Sequence, residues 1–213
     1  MSNTAAKPAR KIIQGPIAQA QILDAVDELF YQEGARAVGV EAVAKHAGVN
    51  KMCLYRQFKS KDELLKRFLE RRCNVFWENF EAGVAREAGN PRQQLLNFFT
   101  EVTERIQQPS YRGCAFVNIS TEITDREHAA RQFVAENRLK LLARLEELAE
   151  QAGADDAQGL AHGLALLLDG AYTASQTYPA GHPILASLQH AATALVDAAL
   201  VKKSPEQAVK QGI

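Results

Sequence analysis

Residues 40–61 read VEAVAKHAGVNKMCLYRQFKSK. Two short helical runs, VEAVAKHAG and NKMCLYRQF, follow one another with almost no chain between them. In a helix-turn-helix the two helices meet steeply, so packing constrains a few positions tightly. A small residue must sit where the helices touch, and Ala44 supplies it. The turn needs a backbone that goes left-handed, which suits Gly48. Val43, Ala47, Val49 and Leu54 fall at the offsets that plug the junction with apolar side chains. The second run is then the recognition helix, with its N-terminal residues aimed at a major groove.

On that helix Asn50, Lys51 and Met52 lead, and Arg56 and Gln57 lie farther along. Lys51 suits guanine edges or phosphate, and Asn50 either contacts adenine or caps the helix. Tyr55, Lys59 and Lys61 suit phosphate oxygens, which fix register without reading sequence. Helix N-termini add N–H groups for the same oxygens. Lys45 and Lys66 read as solvated surface charge.

Outward from this segment the chain continues in helical period. Apolar residues recur at three- and four-residue spacing, no strand pattern stands out, and the fold class is all-α. A first helix carries Ile17, Ile22, Val26, Leu29 and Phe30 on one face and stops at Gly34. Ser60 and Glu63 in SKDE form a capping box for a long helix to about Phe80. Asn90-Pro91 opens another helix with Leu95, Leu96, Phe98, Phe99, Val102 and Ile106, closed by Pro109. After GCAFVNIS, Thr124 and Glu127 in TDRE read as a second capping box, ahead of a helix through Leu148 that ends at Gly153. Two final helices cover about 156–178 and 183–201, and the tail KKSPEQAVKQGI is polar.

The net charge is zero, yet the charge is unevenly placed. Residues 1–72 hold thirteen Lys and Arg against eight Asp and Glu, and residues 73–213 hold twelve against seventeen, giving +5 and −5. One basic end and one acidic end predict that only the first meets a polyanion. The expected domains are 1–60 for the DNA reader, 61–203 for a second, helical domain, and 204–213 for the tail.

The stretch from Ile22 to Leu69, above all AGV…LYRQFKSKDEL, resembles the DNA-binding domain of TetR/AcrR-family transcriptional regulators. RGCAFVNISTEI is similar to a motif of one large branch of that family. The resemblance implies an N-terminal three-helix reader, a linking fourth helix, and a C-terminal helical domain that binds a small molecule and dimerises. It also implies a repressor released from double-stranded operator DNA when ligand binding alters the separation of two recognition helices. Half-sites of such dimers lie roughly 34–36 Å apart, so a small shift spoils simultaneous engagement. Met52 and Cys53 depart from the small residue and hydroxyl usual in the family, and Gly39-Val40 replaces a threonine-rich segment before the second helix.

Effector-pocket candidates are aromatic side chains, Trp77, Phe80, Phe98, Phe99, Phe116, Phe133 and Tyr172, together with sparse polar ones, Asn118, Glu122, His162, Asp169 and Gln176. An apolar cavity with a few placed polar groups is the usual make-up of small-molecule sites. It favours an apolar or amphipathic effector. His162 and Asp169 share one helix face; they either orient a ligand or pair at a dimer interface. Gly163, Gly170, Ala171 and Ala174 let another helix approach, which predicts a homodimer through the last two helices.

No cofactor or metal is expected. His128, His162, His182 and His190 show no ligand spacing, and Cys53, Cys73 and Cys114 form no CxxC. The cysteines read as small apolar residues, with a redox role left open for Cys114 beside Tyr111 and Arg112. No nucleophile–base set or phosphate loop suggests an enzyme. No apolar run suits a membrane span and the N-terminus lacks a secretory signal, so a cytoplasmic protein is expected. The alternatives are a redox-responsive or constitutive DNA-binding regulator, and a ligand-binding module with a disabled reader.

Overall fold

In the computed structural model, which describes residues 15–201, the chain is helical throughout, with nine α-helices and no strand among the described residues. It divides into two compact units, Met1–Phe68 and Leu69–Ile213.

The first unit holds α1 (Gly15–Gln32), α2 (Val40–His46), α3 (Lys51–Gln57) and the opening turns of α4 (Lys61–Arg86). Ala18, Ile22, Ala25, Val26, Leu29 and Phe30 form the buried face of α1. Ile17, expected on that face, is 54 % exposed, because the stripe begins only at Ala18. Leu64, Leu65 and Phe68 of α4 are buried, and Phe68 meets Phe30 edge-to-face at 5.8 Å. Such a pair adds about 0.5–1.5 kcal/mol beyond its buried area. Residue 60, the expected domain boundary, stands just before α4; the compact units part inside that helix.

The α4 start follows its sequence signal closely. Ser60 Oγ accepts the Glu63 N–H at 3.1 Å, and Glu63 Oε2 accepts the Lys59 N–H at 2.7 Å. The return bond of the capping box is thus made one residue earlier than the usual pattern.

The second unit contains the rest of α4 with α5 (Pro91–Ile106), α6 (Ala115–Glu122), α7 (Ala129–Gln151), α8 (Ala157–Thr177) and α9 (Pro183–Leu200). Here α5 packs on α7 and α9, and α8 packs on α7 and α9. One core runs through Leu95, Phe99, Val102, Leu145, Leu148, Leu164, Leu168, Leu188 and Val196. Asn90 caps α5 through the Gln93 N–H with Pro91 following, and Asp156 caps α8 through Gly159. The second expected capping box is not formed. Instead Asp125 Oδ1 accepts the Glu127 N–H in a tight turn, and His128 Nδ1 accepts the Ala130 N–H to start α7. A short aspartate that bonds its own backbone two residues on competes with helix at TDRE and wins. The polar tail 204–213 lies outside the described residues.

Candidate nucleic-acid interface and effector site

The α2–α3 turn is set by three local bonds. Ala47 caps α2, the Gly48 N–H donates to the Lys45 carbonyl, and the Val49 N–H donates to the Ala44 carbonyl. Gly48 has φ +67°, and a Cβ there would meet nothing within 4 Å. The glycine is therefore required by backbone conformation, not by space. Val43, Ala44 and Leu54 are buried at the junction, and Val49 is half-buried.

Asn50 then caps α3, its Oδ1 accepting the Cys53 N–H at 2.8 Å. Of the two sequence readings of Asn50, the cap is the one this geometry uses. Along α3 the side chains sort sharply. Cys53 and Leu54 turn inward, whereas Lys51, Met52, Tyr55 and Arg56 are exposed and Gln57 is half-buried. Met52 is 78 % exposed, far more than an apolar residue needs unless it meets another surface. Cys53 sits where the family usually has a hydroxyl; being buried, it contributes packing.

Two lysines of this surface are engaged within the unit. Lys51 pairs with Glu41 of α2 and lies 5.9 Å from the centre of the Tyr55 ring. The hydrogen bond and charge of Glu41 raise the Lys51 ammonium above its ordinary range. Lys61 Nζ donates to the Arg36 carbonyl at 3.1 Å, tying α4 to the loop before α2. Lys59 is exposed.

In the second unit the candidate aromatics gather. Trp77, Phe80, Phe98 and Phe99 join Phe76 in a chain of rings with centroids 4.9 to 6.2 Å apart, edge-to-face except for the stacked Phe76–Phe80 pair. Asn137 of α7 is its polar hub. Its Oδ1 accepts from Cys73 Sγ at 2.7 Å and from Trp77 Nε1 at 3.5 Å, and Lys140 Nζ stands 4.2 Å from the Trp77 ring centre. Burial pushes the Cys73 thiol up, so it stays protonated and donating.

A second polar group surrounds Tyr172. The ring is 2 % exposed, and burial above all drives its phenol well beyond the ordinary tyrosine range. Arg138 lies 5.5 Å over that ring, pairs with Asp169 at 2.6 Å and comes within 4.0 Å of Cys114 Sγ. Nearby, Gln176 Nε2 donates to Asn118 Oδ1 at 3.2 Å, and Asn118 Nδ2 donates to the Arg112 carbonyl at 3.0 Å. Of the remaining candidates, Phe116 is buried, Glu122 and Phe133 are half-buried, and His162 is exposed. Asp169 pairs with Arg138 on α7, an arrangement the His162–Asp169 spacing did not indicate.

Sequence reasoning misses Arg138, Asn137 and Glu41, and it treats Cys73 only as a small apolar residue. Arg138 and Asn137 stand in a charged run, AENRLK, that reads as a solvated face. Long side chains bury their stems beside apolar neighbours while sequence hydropathy counts them as surface. The one available hint was that Glu41 is the sole acidic residue between Gly34 and Lys61.

Residues 22–68, which span this helix-turn-helix, match the family described as bacterial regulatory proteins, tetR family. A structure from Streptomyces avermitilis assigned to the TetR regulators is 31 % identical, with a TM-score of 0.74, over 85 % of this chain and 97 % of that one. The chain belongs to the TetR family. A TetR-family transcriptional regulator from Streptomyces coelicolor is similar too, at 25 % identity and a TM-score of 0.82, covering 87 % of this chain and 97 % of that one. Among curated relatives, the transcriptional regulator TtgR of Pseudomonas putida is 26 % identical over 121 residues, 53 % of this chain and 58 % of its own. The transcriptional activator FasR of Mycolicibacterium smegmatis is 31 % identical over 118 residues, 54 % of this chain and 52 % of its own. The chain thus spans little more than half the length of the curated relatives it matches. TetR membership makes it a transcriptional regulator and not an enzyme. Among the described residues no three His, Cys, Asp or Glu side chains are grouped to hold a metal, and no helix is long and apolar enough to cross a membrane.

Proposed function

We infer that this TetR-family protein is a repressor that binds double-stranded operator DNA as a homodimer and is released by a small molecule. The observation that carries the reading is the sorting of α3: two inward side chains fasten it, while Lys51, Met52, Tyr55 and Arg56 stand outward at its N-terminal and middle turns. An α-helix of this make-up fits a major groove, with lysine and arginine for guanine acceptors and an apolar tip for a thymine methyl. Tyr55, Lys59 and Lys61 supply backbone contacts on this reading, and Lys51, Met52, Arg56 and Gln57 face the bases, while Asn50 holds the start of the helix.

Residues 1–60 then act as the reader and 61–203 as the effector and dimer domain, which α4 opens at Lys61. The effector site is assigned to the aromatic chain and the Tyr172–Arg138–Asp169 group, since the aromatic chain and the Tyr172 ring share one core and the Arg138–Asp169 pair lies at its edge. An apolar wall beside a few polar groups suits an amphipathic ligand. The dimer surface is assigned to α8 and α9, where Leu166 is 75 % exposed and Ile184 and Leu195 about two-fifths exposed. FasR is named an activator and TtgR a regulator, so the sign of control is tested directly.

The test is a gel shift with duplex from upstream of the protein's own gene, with non-specific competitor, followed by a reporter assay. A competitor-resistant complex, and a reporter that rises when the gene is deleted, are the expected results. A reporter that falls on deletion would make the protein an activator.

A further inference from the structure

We propose that Glu41 is a specificity-determining residue of the DNA-reading surface, which holds Lys51 for base edges and withholds it from phosphate. The proposal rests on the DNA-reading role assigned above to α3. Glu41 is the sole acidic residue from Gly34 through Lys61, a stretch that carries six lysines and arginines with Lys61 included. It does not pair at random with one of them. Its carboxylate engages Lys51, the first residue of the recognition helix.

The carboxylate is itself held in place. The N-cap of α2 is Gly39, which has no side chain to satisfy the first N–H groups of the helix. Glu41 folds back over that end: a Cβ added at Gly39 would lie 3.6 Å from its Oε2. The hydrogen bond from Lys51, followed by the bond from its own backbone N–H, holds the Glu41 carboxyl below the usual carboxylate range. A carboxylate in the first turn is also favoured by the helix dipole. On its other side Lys51 faces the Tyr55 ring. The ammonium thus stands between Glu41 and Tyr55, with about half of the side chain open to solvent.

This pairing has opposite consequences on the two kinds of DNA. Non-specific binding is phosphate neutralisation with release of condensed counterions. A lysine already paired with a carboxylate releases little, and the carboxylate repels phosphate. At an operator the ammonium keeps donors to spare, since it has three N–H groups and Glu41 takes one. Those donors, oriented by the pairing with Glu41, suit the O6 and N7 acceptors of a guanine. Glu41 thus lowers background binding more than operator binding.

The experiment measures fluorescence anisotropy of labelled duplexes across a salt series, on the selected operator and on a scrambled duplex. It compares the wild type with Glu41→Gln, Glu41→Asp, Lys51→Ala and the Glu41→Gln/Lys51→Ala double variant, each checked for helicity. Freeing Lys51 adds one phosphate contact, which steepens the scrambled-duplex slope of log K against log[salt] by about 0.9. At 0.1 M salt that contact is worth about 8-fold in affinity against a 1 M reference. Glu41→Gln should show this gain on scrambled duplex and a smaller one on operator, so the specificity ratio falls. Glu41→Asp keeps the charge and the wild-type slope, and in the Lys51→Ala background Glu41→Gln leaves the slope unchanged. An unaltered slope in Glu41→Gln, or the same change with Lys51 absent, would overturn the role of Glu41. Wild-type protein that selects no duplex would instead remove the DNA-reading assignment, and the proposal with it.

Discussion

Replacing Gly113 with alanine separates two costs that a single substitution usually merges. Gly113 has φ +88°, so any L side chain there is strained. A left-handed backbone costs a non-glycine residue about 1–2 kcal/mol, partly offset by about 0.4–1 kcal/mol from the stiffened unfolded chain. The net backbone cost is about 1 kcal/mol. Space adds to it, because the new Cβ would lie 2.7 Å from Gln176 Cδ and Nε2 and 3.1 Å from Asn118 Oδ1. Gln176 is exposed and can swing away, but only by giving up its hydrogen bond to Asn118. That bond is worth about 0.5–1.5 kcal/mol, bringing the total to about 2 kcal/mol. With Gln176 cut back to alanine the 2.7 Å clash disappears, and Gly113→Ala should cost the backbone part plus a small adjustment of Asn118, whose Oδ1 stays 3.1 Å from the new Cβ. Urea denaturation at fixed protomer concentration measures all four proteins of the cycle. A coupling of about 1 kcal/mol is expected. Equal costs of Gly113→Ala in both backgrounds, or no cost at all, would show that Gln176 does not close over this glycine.

Other substitutions test the remaining assignments. Tyr55→Phe and Lys61→Ala should weaken binding to every duplex, and Lys61→Ala should also flatten the salt slope by about 0.9; unchanged affinity in both would remove the phosphate contacts. Gly170→Leu should yield monomers by sedimentation with an unaltered helical spectrum, since a Cβ there meets nothing within 4 Å in the protomer; a persistent dimer would place the interface elsewhere. Tyr172 carries a pH signature. Its phenol stays protonated in the folded state while the unfolded phenol ionises near about pH 10, so the unfolded state binds fewer protons and stability falls above that pH. Tyr172→Phe should lessen this alkaline loss, and an identical loss in the variant would mean the phenol is not buried as described.

The helix-turn-helix was legible because its constraints are local. Ala44, Gly48 and Leu54 are fixed by how two adjacent helices cross, and a twenty-residue window contains everything that decides them. Caps with a short-range logic were legible for the same reason, as at Ser60 and Asn90. TDRE failed because a local rival, the Asp125 turn, uses the same residue types. The effector side was legible only as composition. Phe98 and Tyr172 announce a core, but the Arg138–Asp169 pair joins helices thirty-one residues apart in sequence, and nothing local couples them. Lys51 is legible as a reader, whereas its partner Glu41 lies ten residues earlier and across the turn, where no sequence spacing couples the two.

The central claim is that two copies of α3 read DNA together. A selection of duplexes from a random-sequence pool by the intact protein, followed by sequencing, addresses it in one step. The account predicts an enriched palindrome whose half-sites are centred about 10 base pairs, or a small multiple of that, apart. A pool that stays random after repeated rounds, or a single unpaired half-site bound with full affinity, would be incompatible with a dimeric reader built on α3.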